Sequence, residues 1–181
     1  MFDINKNAPK SMVHLYVGTG KGKTTAAVGL AVRCRGNGGK VKFIQFLKGN
    51  ESAELAPLKE LGIEILRTDD VKKFTFQMSE QEKEECSINC SECFKEAAEA
   101  LVNGDYDLIV LDEVIDAVNA YMLKNDELVK YIKERNPKTE VVLTGRNPAQ
   151  EVIDIADYYT FMEAKKHPYD KGIFARKGIE Y

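Results

Sequence analysis

The run Gly18-Thr19-Gly20-Lys21-Gly22-Lys23-Thr24-Thr25 joins a short apolar stretch to an alanine- and leucine-rich helical pattern. Strand, glycine turn and helix N-terminus in that order form an anion-binding unit, because the first amides of the helix have no intrahelical partner. Gly18, Gly20 and Gly22 allow positive φ and a close approach of backbone N–H groups to phosphate oxygens. Lys23 adds a point charge on those oxygens, and the Thr24 hydroxyl suits a Mg²⁺ ligand. The common spacing G-x-x-x-x-G-K-[ST] would need glycine at position 17, where this chain has Val17. The loop is therefore one residue tighter and carries an extra cation, Lys21. An ordinary Gly/Lys turn is the alternative, and the strand and helix on either side argue against it. The pattern predicts an α/β fold that binds a polyphosphate.

At 181 residues the chain suits one such domain over 12–181, preceded by a short polar segment at 1–11. A formal charge of −3 argues against holding nucleic acid as the main task. No stretch approaches the ~18 apolar residues of a membrane span, and the polar N-terminus has no signal-peptide core. A cytoplasmic protein is expected, with neither nucleic acid nor membrane as partner. Of the four cysteines, Cys86, Cys90 and Cys93 share a C-x3-C-x2-C spacing with radical S-adenosylmethionine iron–sulfur enzymes. The same spacing is one face of a helix, and the Glu- and Lys-rich surroundings favour buried structural thiols over a metal-binding loop.

Along the chain, apolar β-prone runs predict strands at 12–17, 41–47, 63–66, 107–111, 140–144 and 158–163. Helical periods occupy 23–35, 52–61, 79–102, 114–122, 125–134 and 148–156. Ala26, Ala27, Leu30 and Ala31 should face the sheet, and Ser79 with Glu82 should form a capping box. The tail, 165–181, has no strong period. Alternating strands and helices predict a mostly parallel sheet with helices on both faces.

Asp112 and Glu113 close a run of apolar residues, the position at which a carboxylate meets a metal held by the loop threonine. A charged strand-to-helix turn would look the same in isolation; the upstream loop favours the metal. Lys48 and Gly49 lie just past a strand, where α/β sheets place ligands, and Arg146 follows another strand, where its planar fork can reach a phosphate. Arg33 and Arg35 end the first helix, where cations are favourable without any ligand.

These residues, taken together, resemble the ATP:corrinoid adenosyltransferases, from about Val13 to Tyr181. The matching motifs are the shortened loop, Arg33-x-x-Gly-x-Gly38, Gln45-Phe-x-Lys-Gly49, Asp107-Leu-x-Val-Leu-Asp-Glu113 and Leu143-Thr-Gly-Arg146. Lys166-His-Pro-Tyr-Asp-x-Gly172 and Ala175-Arg-Lys-Gly-Ile-Glu180 complete the set. The resemblance implies a P-loop, RecA-like sheet and attack by the Co(I) of a reduced corrinoid on C5′ of ATP, with triphosphate expelled. It implies ATP lying reversed in the loop, with Gly18 to Thr25, Arg33 and Arg146 around the nucleotide. Thr24, Asp112 and Glu113 would serve Mg²⁺ or Mn²⁺.

By the same resemblance, Phe74 and Phe76 would displace the lower axial base of the corrinoid so that Co(II) can be reduced; the family often has Phe-x-Trp here. An electron donor such as a reduced flavoprotein and a homodimer are also implied. Met1 to Ser11 is too short for much of the extra N-terminal helix that some relatives carry. A small phosphate-loop kinase or NTPase, or a non-catalytic ATP-dependent corrinoid-binding module, would be separated from this reading by their products.

Overall fold

The computed structural model describes residues 11–48, 52–68 and 77–180. Phe74 and Phe76 lie outside the described residues. Chain order runs β1 (Val13–Val17), α1 (Lys23–Gly36), β2 (Val41–Gln45), α2 (Leu55–Glu60), β3 (Glu64–Arg67) and α3 (Glu80–Asn103). It continues with β4 (Leu108–Asp112), α4 (Val114–Asn119), α5 (Asn125–Glu134), β5 (Glu140–Gly145), α6 (Gln150–Asp154) and β6 (Tyr158–Phe161). A 3-10 turn at Pro168–Lys171 follows in the tail.

All pairings among the described strands are parallel, in the order β3-β2-β4-β5-β1-β6. The register aligns Val17 with Gly145 and Phe161, and Gln45 with Asp112. The C-terminal strand ends therefore share one edge, the side on which α/β sheets bind ligands. Every residue of β2 and of β4 is buried; β4 reads as a continuous apolar run up to Asp112, whereas β2 buries Lys42 and Gln45 among its apolar residues.

Alternation along the strands makes two cores. On one face Ala27 and Ala31 of α1 and Leu55 and Leu58 of α2 meet Val41, Phe43, Leu108, Val110 and Val142. On the other, α3, α4, α5 and α6 cover Leu15, Val17, Ile44, Ile109, Leu111, Val141 and Leu143. Of the α1 residues expected against the sheet, Ala27 and Ala31 are fully buried, whereas Ala26 and Leu30 are half-buried at the flanks.

The element boundaries shift where backbone geometry intervenes. Leu47, at φ +52, ends β2 before the expected residue, and Tyr121, at φ +59, follows the shortened α4. Left-handed backbone at non-glycine residues breaks the repeating dihedrals that either element needs. The capping box at α3 forms, with the Glu82 amide donating to Ser79 Oγ at 3.2 Å and the Ser79 amide to Glu82 Oε2 at 2.8 Å.

Cys86, Cys90 and Cys93 sit on the continuous helix α3 and point into the core. Burial pushes the Cys93 thiol up to about 12 and raises those of Cys86 and Cys90 as well. Neutral, enclosed thiols are poor nucleophiles. At pH 8, Cys90 and Cys93 should therefore resist a thiol reagent in the folded protein and react only in denaturant. Fast labelling under native conditions, or visible absorption after anaerobic iron–sulfur reconstitution, would contradict the packing reading.

Candidate active site

The glycine loop leaves β1 and enters α1 at the shared strand edge. Gly18 takes φ +120 and Gly22 φ +116, values that L side chains rarely adopt. The Gly20 amide donates to the Met162 carbonyl at 2.7 Å, so the chain leaving β6 braces the loop. A Cβ on Gly18 would stand 2.4 Å from the Met162 oxygen, and one on Gly20 2.8 Å from it. Gly18→Ala combines that overlap with forbidden backbone. It should cost several kcal/mol, roughly 2–4 by analogy with other overpacked or strained sites, read as a lowered denaturant midpoint.

No side chain caps the N-terminus of α1, and its first turn carries no acidic residue. The end of the helix keeps its positive dipole and free amides for an anion. Lys23 Nζ lies across the loop, donating to the Gly18 carbonyl at 3.0 Å and the Gly20 carbonyl at 2.8 Å. Partial burial, with the Arg146 charge nearby, holds its ammonium below the ordinary lysine range. An anion at the loop would relieve both effects.

Behind the loop, strand β5 separates β1 from β4, so the loop strand and the acidic strand stand about 10 Å apart. The gap is bridged by side chains. Asp112, fully buried, accepts at Oδ1 from Thr24 Oγ1 (3.0 Å) and Thr144 Oγ1 (2.8 Å). Its Oδ2 accepts from Gln45 Nε2 at 3.2 Å and lies 3.4 Å from Lys48 Nζ. Stripping either hydroxyl would leave a buried carboxylate oxygen short of a donor, at a cost of about 1–3 kcal/mol. Lys48 also donates to Glu54 Oε1 at 3.0 Å. Burial works against its charge, but Asp112 and Glu54 outweigh burial and raise it.

Glu113 begins α4 from left-handed backbone, φ +61, and its amide donates to Thr144 Oγ1 at 2.8 Å. A non-glycine residue in that region costs of order 1–2 kcal/mol and persists only where its surroundings impose it. Desolvation, with the neighbouring Asp112 charge second, pushes the Glu113 carboxyl up to about 8. Asp116 is raised mainly by desolvation, with Arg146 and Lys23 pulling the other way.

Arg146 leaves β5 at Gly145, φ +146, and the Gly145 carbonyl accepts from the Gly18 amide at 3.3 Å. The same turn thus touches the loop and carries the arginine, whose charge acts on Lys23, Glu113 and Asp116.

The structure brings together Gly18, Gly20, Gly22, Lys23, Thr24, Asp112, Glu113 and Arg146. Thr19 and Thr25 flank the group and are exposed. Lys21 turns to the tail, donating to Glu180 Oε1 at 2.9 Å. Arg33 is not at the loop: it follows Lys23 by ten residues on a regular helix, about 15 Å along the axis. Its charge acts instead on Tyr16. Within one subunit the helical rise therefore carries Arg33 toward the opposite sheet edge.

Sequence reasoning missed Glu54, Thr144 and Asp116 as contributors. A signal for Asp116 existed in Glu113, Asp116 and Asn119, spaced i, i+3, i+6 along one side of a short helix. Thr144 lay within the matched motif Leu143-Thr-Gly-Arg146, but its role depends on the pairing of β4 with β5; Glu54 carried no signal, although its partners Lys48 and Gln45 are close in sequence.

Thr24, Asp112 and Glu113 are hard oxygen donors, the set that suits Mg²⁺ or Mn²⁺ rather than a soft metal. Among the described residues no group of three or more His, Cys, Asp or Glu side chains forms a cage for a metal ion.

Comparison with known proteins bears on the chemistry. A family model described as ATP:corrinoid adenosyltransferase BtuR/CobO/CobP matches residues 9–181. The corrinoid adenosyltransferase of Escherichia coli is 32% identical over 173 residues, covering 95% of this chain and 86% of that one. The corrinoid adenosyltransferase CobA of Salmonella typhimurium is 31% identical with the same coverage. That of Pseudomonas aeruginosa is 32% identical, covering 95% of this chain and 84% of its own length.

Proposed function

This chain belongs to the ATP:corrinoid adenosyltransferase family, and on that premise we propose that its glycine loop holds the whole triphosphate of ATP as a leaving group. The enzyme transfers the 5′-deoxyadenosyl group to the cobalt of a reduced corrinoid. The electron pair of Co(I) forms the Co–C5′ bond, the C5′–O5′ bond breaks, and its electron pair departs on triphosphate. Since Co(I) is already a strong nucleophile, no general base is needed. The protein's task is to hold the leaving group and stabilise the charge it gains.

The observation that carries this reading is the convergence of Lys23, Arg146 and the uncapped N-terminus of α1 on one strand edge. Lys23 would exchange its bonds to Gly18 and Gly20 for phosphate oxygens, and Arg146 would contact the same chain. Thr24, Asp112 and Glu113 would hold Mg²⁺ (or Mn²⁺), which when bound neutralises phosphate charge. Anaerobic incubation with ATP and cob(I)alamin tests the whole: triphosphate with a light-sensitive adenosylcorrinoid is expected, whereas ADP would refute it.

Phe74 and Phe76 belong to this proposal as the apolar wedge that displaces the lower axial base before reduction. Phe76→Ala should impair turnover from Co(II) about tenfold more than from chemically prereduced Co(I), by loss of one large aromatic contact. Equal losses would remove that role. A reduced flavoprotein, or a donor like it, would supply the electron.

We also assign a homodimer. Tyr158, Tyr159 and Phe161 of β6 are each about half exposed (53%, 49% and 54%) although parallel strands are normally covered on both faces. Phe174 and Ile179 of the tail are exposed apolar residues as well. Among the described residues no helix is long and apolar enough to cross a membrane; a cytoplasmic location is part of the proposal.

A further inference from the structure

The β5 exit turn is gripped from the side by α4. Asn119 Nδ2 donates to the Arg146 carbonyl at 2.6 Å and reaches the Asn147 carbonyl at 3.4 Å. The Asp116 carboxylate lies against the same turn and faces the Arg146 amide, which favours its charged form. The backbone N–H and C=O of Arg146 thus face two side chains of the same short helix. The turn is pressed so closely on α4 that a Cβ on Gly145 would stand 2.6 Å from Ile115 Cβ and 2.9 Å from Asp116 Oδ2. Asn147 takes left-handed backbone, φ +46, which lets the chain turn away immediately afterwards.

Exit loops of α/β strands are ordinarily the more mobile parts of a fold. An arginine on such a loop would lose much of its value to a leaving group, since electrostatic stabilisation depends on a charge that needs no reorganisation. Here the helix that grips Arg146 begins at Glu113, the residue next to the buried Asp112. The cation and the carboxylates are therefore tied to one rigid piece, and the Gly145 carbonyl links that piece to Gly18 of the loop.

We propose that Asp116 and Asn119 are positioning residues that clamp the Arg146 peptide and so fix its guanidinium against the triphosphate. This rests on the assignment of Arg146 to the triphosphate made above. The clamp acts through hydrogen bonds to the backbone, not through the charge of Asp116. An asparagine at 116 keeps an acceptor for the Arg146 amide and should preserve it; an alanine should not.

Affinity for inorganic triphosphate in the presence of Mg²⁺, measured by calorimetry, reads the clamp without corrinoid chemistry. Kinetics with ATP and cob(I)alamin supply kcat and KM separately. Asn119→Ala should weaken triphosphate binding about tenfold, a coupling of ordinary size for residues sharing one network. Asp116→Ala should do the same and Asp116→Asn should stay within about threefold of the parent. In the Arg146→Ala background, Asn119→Ala should have almost no further effect, and KM for ATP should follow the binding constants.

An equal penalty for Asn119→Ala in both backgrounds would overturn the clamp while leaving Arg146 its role. Asp116→Asn behaving as badly as Asp116→Ala would overturn it too, by showing that the charge matters instead. Unchanged triphosphate affinity in Arg146→Ala alone would overturn the assignment of Arg146 itself.

Discussion

Lys23→Ala is expected to lower the rate of triphosphate release by about 10²–10³-fold, the usual loss when one preorganised donor is removed from a developing anion. The ammonium already spans the loop, 3.0 Å from the Gly18 carbonyl and 2.8 Å from that of Gly20. It need only exchange acceptors when phosphate arrives. Folding should survive, because removing a half-buried cation also removes its desolvation cost, and the two carbonyls can turn to water. The measurement is the initial rate of triphosphate formation from ATP and cob(I)alamin without oxygen, beside a thermal melt of the same variant. A variant within threefold of the parent would mean that the loop does not hold the leaving group. Lys23→Arg should not rescue, since a planar fork cannot repeat a compact point charge inside a loop one residue shorter than usual.

Glu113→Gln should separate stability from activity in opposite directions. Desolvation first, then Asp112, pushes the Glu113 carboxyl up to about 8, against an ordinary value of 4.5. Between those values the folded protein keeps a proton that the unfolded chain releases, so the folded state binds more protons. Stability therefore falls as pH rises through this window. Below about pH 4.5 the glutamate is neutral in both states and the variant should melt with the parent. At pH 9 the parent buries a charge and the glutamine does not, so the variant should melt several degrees higher. Adenosyl transfer should meanwhile drop at least about 10²-fold if this carboxylate serves the divalent cation. Thermal melts at pH 5 and pH 9, with Mg²⁺ titrations of activity, decide the matter. Coincident melting at both values would show that the carboxyl is not held neutral by its surroundings.

The raised carboxyl also bears on how the site works. A binding site that favours charge on its substrate must tolerate strain while empty. Here Glu113 combines left-handed backbone with an unfavourable environment for its own charge, and Lys23 is similarly disfavoured as a cation. Nucleotide with its cation would supply the missing counter-charge to both.

The loop, the buried strand ending in Asp112, and the family resemblance were legible in linear order, because each depends on residues close in sequence. The glycines need only their own φ, a parallel strand only its continuous apolar run, and the α3 capping box only two residues three apart. Helix faces were legible too: the cysteine spacing of 4 and 3 resolved into a buried stripe once α3 proved continuous. Boundaries were less so, since nothing in the residue types of Leu47 and Tyr121 announces their positive φ.

Arg33 shows what linear order leaves open: the resemblance assigns it to the nucleotide, while its place ten residues along α1 sets it about 15 Å from Lys23 in the same subunit. Thr144 lay inside a matched motif and Asp116 and Asn119 shared a helix side with Glu113, yet the partners of all three are about thirty residues away in sequence and meet them only in the folded sheet. Glu54 pairs nearby, with Lys48 and Gln45, across the connection from β2 to α2.

Local propensity and periodicity, then, were enough to specify a phosphate-binding α/β chain with an acidic strand end and thiols in its core. Only the tertiary structure decided that β5 lies between the loop strand and the acidic strand. That insertion opens a gap which Thr24 and Thr144 bridge to Asp112, and it delivers Arg146 beside Lys23. Strand order is a long-range property: it depends on which buried edges pair best, and no short stretch of residues encodes that.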